Sequence, residues 1–184
     1  LEASLTQDSR DSIAFPTKGT YLKAEYTVAN SKNAEFNALY AKAEVNIPLG
    51  KNLTLTPGVA YITSDGEKIS ETYRPKMGGF QEGYYSLEFD GVPADKIRGN
   101  SIFVGKINMQ YKFSRIIFVG ANASFATVSD KSYSFGKEKK ESYGLGLGVR
   151  TPLGPGYVGV AKSPGEDVRY FLNFGYDPKS FNEN

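Results

Sequence analysis

Over most of this chain every second residue is apolar, and the residues between are charged, polar or very small. From 103 to 113, Phe103, Ile107, Met109, Tyr111 and Phe113 share one face with Gly105, while Lys106, Asn108, Gln110 and Lys112 share the other. A period of two belongs to extended strands, whose successive side chains point to opposite sides of a sheet. The alternation recurs in eight segments, and no stretch reads as a helix that could cover an apolar face. An apolar face that no protein covers calls for lipid, and a glycine-rich polar face calls for a lumen. The pattern predicts an all-β fold: a transmembrane antiparallel β-barrel of eight strands per chain with a long extracellular loop.

Those eight strands fall at about 18–29, 36–47, 53–63, 103–113, 116–127, 142–151, 157–162 and 168–176. In the first, Leu22, Ala24, Tyr26 and Val28 face outward and Tyr21, Lys23, Glu25 and Thr27 inward; in the sixth, Tyr143, Leu145, Leu147 and Val149 oppose Gly144, Gly146, Gly148 and Arg150. Pro57, inside the third strand, should mark a bulge or a locally broken ladder. Short turns follow strands two, four and six, whereas long segments (64–100 and 128–141) follow three and five. That alternation places both termini on the periplasmic side of a bacterial outer membrane. The expected organisation is a periplasmic lead-in over 1–17, a barrel domain over 18–176 and a tail over 177–184.

At 184 residues the chain is one domain, and none of its apolar runs reaches the length of a membrane-spanning helix. Its 13 Tyr and 12 Phe suit aromatic girdles at the two membrane surfaces. A net charge of +2 gives no reason to expect nucleic acid as a partner. Leu1-Glu2-Ala3 lacks signal-peptide character, as expected of a processed or trimmed chain.

Neither histidine nor cysteine occurs, which removes His-dependent triads and bases, His metal sites, disulfides and thiol chemistry. Gly99-Asn100-Ser101-Ile102-Phe103 lacks the last glycine of a nucleophile elbow and runs into a strand. Gly144-Leu145-Gly146-Leu147-Gly148 has the wrong spacing for a dinucleotide loop, and its glycines share one face, so they read as lumen positions that leave room for bulky neighbours. Lys137-Glu138-Lys139-Lys140-Glu141 reads as a solvated loop. No catalytic residue, metal site or cofactor is expected, and the chain does not read as an enzyme.

Three ordered stretches resemble a known family. Asp8-Ser9-Arg10-Asp11 with Phe15-Pro16-Thr17-Lys18-Gly19 resembles the strand opening of the bacterial surface-antigen outer-membrane barrel superfamily. That superfamily holds outer-membrane assembly factors, two-partner secretion transporters and the barrels of patatin-like type V autotransporters. Gly78-Gly79, Asp90-Gly91-Val92-Pro93 and Ile97-Arg98-Gly99-Asn100 resemble its long loop, the last being closest to the C-terminal barrel of the patatin-like branch. Thr151-Pro152-Leu153-Gly154-Pro155 resembles its turn between strands six and seven, and Phe171 to Tyr176 its closing strand.

The resemblance implies the second half of a sixteen-stranded barrel, with Tyr170, Leu172, Phe174 and Tyr176 as the closing-strand signal. It also implies partners: outer-membrane lipid, the barrel assembly machinery and, given eight strands, a second copy as a homodimer. The family's acidic residue on the strand after the loop's return strand is missing, since 116–127 offers Gly120, Asn122 and Ser124 inward. Arg98 and Gly99 are the candidate loop anchor, with Glu25 and Glu44 as lumen carboxylate partners and the loop acids as fallback. The competing placement of Arg98 is exposed at the rim.

By strand parity Lys23, Lys42, Lys106, Lys112, Arg150 and Arg169 face inward against only Glu25 and Glu44. Unpaired buried charge costs several kcal/mol per ion. Either water fills the lumen, or the long loop folds in with Glu67, Glu71, Glu82, Glu88, Asp90 and Asp95. The function expected is a membrane anchor or translocation unit without catalysis in this chain. The alternative is a stand-alone structural or adhesive barrel whose loop aromatics meet outside partners.

Overall fold

The computed structural model describes residues 1–32, 34–83 and 85–175. Four strands, β1 (Glu2–Asp8), β2 (Gly19–Ser31), β3 (Ala34–Leu49) and β4 (Leu53–Lys68), precede an excursion. The excursion holds three two-residue strands, β5 (Lys76–Met77), β6 (Ser86–Leu87) and β7 (Ile97–Arg98). Five more follow: β8 (Ser101–Lys112), β9 (Ile117–Ser129), β10 (Glu138–Thr151), β11 (Gly154–Lys162) and β12 (Arg169–Phe174). The long strands make one antiparallel sheet, β1-β2-β3-β4-β8-β9-β10-β11-β12, and the short ones a separate sheet, β6-β5-β7. Among the described residues no helix is long and apolar enough to cross a membrane.

Register turns the alternation of each strand into whole rows. Ile47, Leu55, Met109, Ala121, Leu145, Val160 and Tyr170 lie side by side across seven strands, every one apolar. One residue along, Thr56, Asn108, Asn122, Gly144, Ala161 and Arg169 form the next row, which is polar or small. The first row is exposed or half-buried, with Leu145 at 62% and Tyr170 at 81%. A one-residue slip on any strand would exchange the two faces, so a continuous apolar row across seven strands fixes the register strongly.

Among the described residues, the expectation of a barrel with eight strands per chain meets two differences. The sheet has nine strands, because β1 pairs with β2 from Glu2↔Thr27 to Asp8↔Tyr21 within the stretch expected as a lead-in. Its outward positions are Ala3, Leu5 and Gln7, too weak an alternation to show by periodicity; β2 supplies the order through backbone hydrogen bonds. Among the described residues the sheet is also open, since β1 and β12 each have one neighbour. Closure needs strand number, tilt and stagger that bring the edges together, and these nine strands leave them apart.

Two smaller expectations resolve differently. At Pro57 the β3–β4 pairs stop at Glu44↔Gly58 and resume at Ile47↔Leu55 in unchanged register, a gap without a bulge. The shift in that ladder lies instead at Glu35/Phe36. Residues 138–141 are not loop but the start of β10, paired to β9 from Glu138↔Val128. On this side of the hairpin Glu138, Lys139 and Glu141 are exposed while the buried apolar positions, Ala126 and Val128, lie on β9, so the alternation that marks a strand is lost from β10. Tyr176 and the tail 177–184 lie outside the described residues.

Candidate functional site

The inward face is filled from its two ends. At the end of the short turns, residues 9–18 leave β1 and cross the inward face of β8 to β11. Asp8 accepts from the Arg10 guanidinium at 2.9 and 2.6 Å, and the guanidinium lies 4.3 Å from the centre of the Tyr21 ring. Asp11 caps the turn by accepting from the Thr17 and Lys18 amides at 2.7 and 3.2 Å and from the Thr17 hydroxyl. So held, Phe15 is buried, stacked at 4.1 Å on Phe118 and 5.0 Å from Tyr157. A Cβ at Gly148 would lie 2.3 Å from the Phe15 ring, so glycine is what admits it. Gln110 donates to the Pro16 carbonyl at 3.3 Å and Tyr157 to that of Ala14, and the Arg150 guanidinium lies over both phenyl rings.

Burial alone would raise the Asp11 carboxyl, but the Thr17 and Lys18 bonds outweigh it and hold the group below its ordinary value. A depressed carboxyl stabilises fully above its unfolded value, about 3.9, and loses that stabilisation as pH falls through the folded one. Asp11→Asn should therefore lower the melting temperature at pH 7, with the gap to the parent closing as both are acidified below about pH 4. Melting followed by tryptophan-free near-ultraviolet dichroism at a series of pH values checks this.

The other filling is the excursion between β4 and β8. Met77, Tyr85, Leu87, Phe89 and Val92 pack on Phe36, Tyr40, Ile62, Ile102, Val104 and Ala126 of β3, β4, β8 and β9. Deeper along the same face the contacts become ionic. Lys42 Nζ reaches Glu82 at 2.8 Å and Glu44 at 3.1 Å, and the Tyr40 hydroxyl donates to Glu82 at 3.0 Å. Lys106 Nζ reaches Glu88 at 2.5 Å and Asp90 at 3.6 Å. Asn122 donates to Asp90 at 2.6 Å, and the Ser142 hydroxyl donates to the Asp90 backbone carbonyl. On the far strand the tilted Phe80 ring packs on Phe171 with centroids 4.2 Å apart.

The loop thus brings in Glu82, Glu88 and Asp90, the acids that Lys42 and Lys106 needed. Glu67, Glu71 and Asp95 stay out of that network, with Asp95 accepting from Ser86 at 2.5 Å. The carboxylate here is Asp90 on the loop, and the strands supply Lys106 from β8 and Asn122 from β9. Sequence reasoning did not single out Phe15, Lys106 or Asn122 as partners of particular groups; the inward charge excess pointed to Lys106, and Phe15 stood only in a motif.

The remaining candidates fall elsewhere. Arg98, on β7, is 56% exposed and meets Glu71 at 3.2 Å. Glu25 pairs with Lys23 at 3.1 Å and Glu44 with Lys42, so Arg98 is brought to neither. Gly99 touches β9: a Cβ there would lie 2.8 Å from Val128. Tyr170, Leu172 and Phe174 line the outward face of β12. Among the described residues no group of three or more carboxylates could hold a metal ion.

An antiparallel sheet with an apolar exterior, a polar interior and a long loop folded inside is the architecture of an outer-membrane β-barrel. Residues 1–175 match the Omp85 superfamily domain, and the chain belongs to that superfamily. Its fold is shared with the crystal structure of BamA from Haemophilus ducreyi lacking POTRA domains 1–3, at 13% identity and a TM-score of 0.71. The match covers 93% of this chain and 40% of that one, so the chain spans about two fifths of its structural relative. No curated protein sequence matches the chain.

Proposed function

We propose that this chain is a membrane anchor and translocation unit of the outer membrane, closest to the barrels of patatin-like type V autotransporters and without catalysis of its own. One observation carries the reading: an unbroken apolar row crosses seven strands on the outward face, while the inward face is occupied by a loop that packs Met77, Leu87 and Phe89 on the strands and is tied deeper in through Lys42 and Lys106. Such a loop blocks the lumen at rest and is held by contacts that can exchange without breaking the sheet. Arg98 and Gly99 serve its return, Arg98 by tying the loop to itself through Glu71 and Gly99 by its close approach to β9.

Open edges in lipid leave backbone groups unpaired at several kcal/mol each. The β1 and β12 edges are therefore closed by strands from outside residues 1–175. The share of BamA that the chain covers supports further strands of the same polypeptide, with the barrel assembly machinery as the partner that closes them. A second copy of the chain would close them too, and would appear as a doubled mass in detergent. The adhesive alternative loses its motive, because Tyr85 and Phe89 are buried and Tyr73 packs on Phe36.

The proposed topology puts the termini and short turns in the periplasm. An impermeant amine reagent on whole cells should label the exposed Lys32, Lys68 and Lys139 and spare Lys51. Labelling of Lys51 with sparing of the other three would reverse the orientation.

A further inference from the structure

The short-turn end of the sheet carries cations and bulky apolar side chains together. Lys51 lies in the β3–β4 turn and Arg115 in the β8–β9 turn, both exposed. The two turns are neighbours, because the Lys112 amide donates to the Asn52 carbonyl at 2.7 Å. The β10–β11 hairpin adjoins the second, because the Arg150 amide donates to the Ile116 carbonyl at 2.8 Å. No carboxylate occurs in 46–54, 110–118 or 148–157, the three stretches that build this rim. Of the acids in the adjoining segment 9–18 and its flank, Asp8 is taken by Arg10 and Asp11 by its own turn. The opposite end is different: there amines and carboxylates interleave, as in Lys137-Glu138-Lys139-Lys140-Glu141.

Between the cations stand Leu49, Phe113, Ile116 and Leu153, all exposed, Leu153 at 83%. They continue the outward band directly, Leu49 two residues beyond Ile47 and Phe113 two beyond Tyr111. That continuity sets the rim at the boundary between acyl chains and headgroups, where a soluble acidic partner would have to displace lipid to reach it.

We propose that Leu49, Lys51, Phe113, Arg115, Ile116 and Leu153 form an interfacial site for anionic phospholipid. The Lys51 ammonium and the Arg115 guanidinium take the headgroup phosphate, and the apolar side chains enter the acyl region. A guanidinium binds phosphate through paired donors and an ammonium as a point charge. The site rests on the membrane-barrel reading and, for the leaflet it occupies, on the proposed orientation. It would hold the sheet at a defined depth and favour the leaflet that carries anionic phospholipid.

The test uses the folded full chain in nonionic detergent, with lipid retention read by native mass spectrometry. Dioleoylphosphatidylglycerol should be retained about twenty-five-fold more tightly than dioleoylphosphatidylcholine, since each of the two basic residues near an anionic surface contributes about fivefold, equivalent to about 1 kcal/mol. Lys51→Ser and Arg115→Ser should each remove part of the preference, and the double variant nearly all of it. Lys137→Ser with Lys139→Ser should leave it intact. Lys51, Arg115 and Lys137 lie outside the strands and Lys139 is an exposed β10 residue whose backbone pairing to Thr127 does not use its side chain, and heat-modifiable gel migration confirms folding in each variant. Equal retention of the two lipids, a preference that survives the double variant, or equal loss in the Lys137/Lys139 control would overturn the site. Displacement of the lipid by a poly-glutamate peptide would assign the rim to an acidic protein, and displacement by inorganic phosphate would make it a simple anion site. Either result would also overturn it. Failure of the barrel reading shows separately, as loss of heat-modifiable migration, and failure of the orientation as labelled Lys51.

Discussion

Arginine at Leu145 or Leu147 should cost about 2–4 kcal/mol near the bilayer midplane and cut the amount of assembled protein sharply. Both side chains lie on the outward face of β10, Leu145 between Ala121 and Val160 and Leu147 between Val119 and Val158. A charge placed there has only hydrocarbon around it. Gly146, between them, points inward, and a Cβ there would sit 3.2 Å from the Val158 carbonyl and 3.6 Å from Phe171. Gly146→Ser adds one small polar group to a polar face, at a cost well under that of either arginine. Heat-modifiable band intensity in outer-membrane fractions compares the three. Equal loss in all three would mean that the two faces are not chemically different.

Lys106→Met should release the loop. Lys106 meets Glu88 and Asp90 with 18% of its side chain exposed, and its removal leaves two carboxylates facing each other on the inward face. Breaking a fully buried pair costs about 3–5 kcal/mol; water at the partly open network should bring this to about 2–3. Because the sheet hydrogen bonds do not involve that side chain, folding should survive. Proteolysis within 69–100 should rise while heat-modifiable migration persists. Adding Glu88→Gln and Asp90→Asn to Lys106→Met should restore much of the protection, since the network is then neutral as well as empty of its cation.

The outward half of this structure is plain in the sequence. Met109 and Leu145 are legible because lipid admits no polar residue on that face, so each strand repeats the rule by itself. Where the rule lapses, so does the reading. Glu138 to Glu141 extend β10 beyond the apolar band and look like any charged loop, and β1 is held by β2 rather than by its own pattern. The inward half depends on pairings between distant residues. The six inward cations against Glu25 and Glu44 required acids from somewhere, but nothing local chose Glu82 for Lys42, or Glu88 and Asp90 for Lys106, over Glu71. Phe15 was visible as a motif residue. Its place against Phe118 follows from the space left by Gly148 on a strand more than a hundred residues away.

The measurement that bears most directly on the account is a label scan along β8. The chain has no cysteine, so single cysteines at 107 to 112 can each carry an environment-sensitive fluorophore without background. In vesicles containing acyl-chain quenchers, labels at Ile107, Met109 and Tyr111 should be quenched strongly, while labels at Asn108, Gln110 and Lys112 should respond only to a water-soluble quencher. Quenching that ignores the two-residue period, or that selects Asn108, Gln110 and Lys112 instead, would contradict a sheet with lipid on one face and a loop-filled lumen on the other.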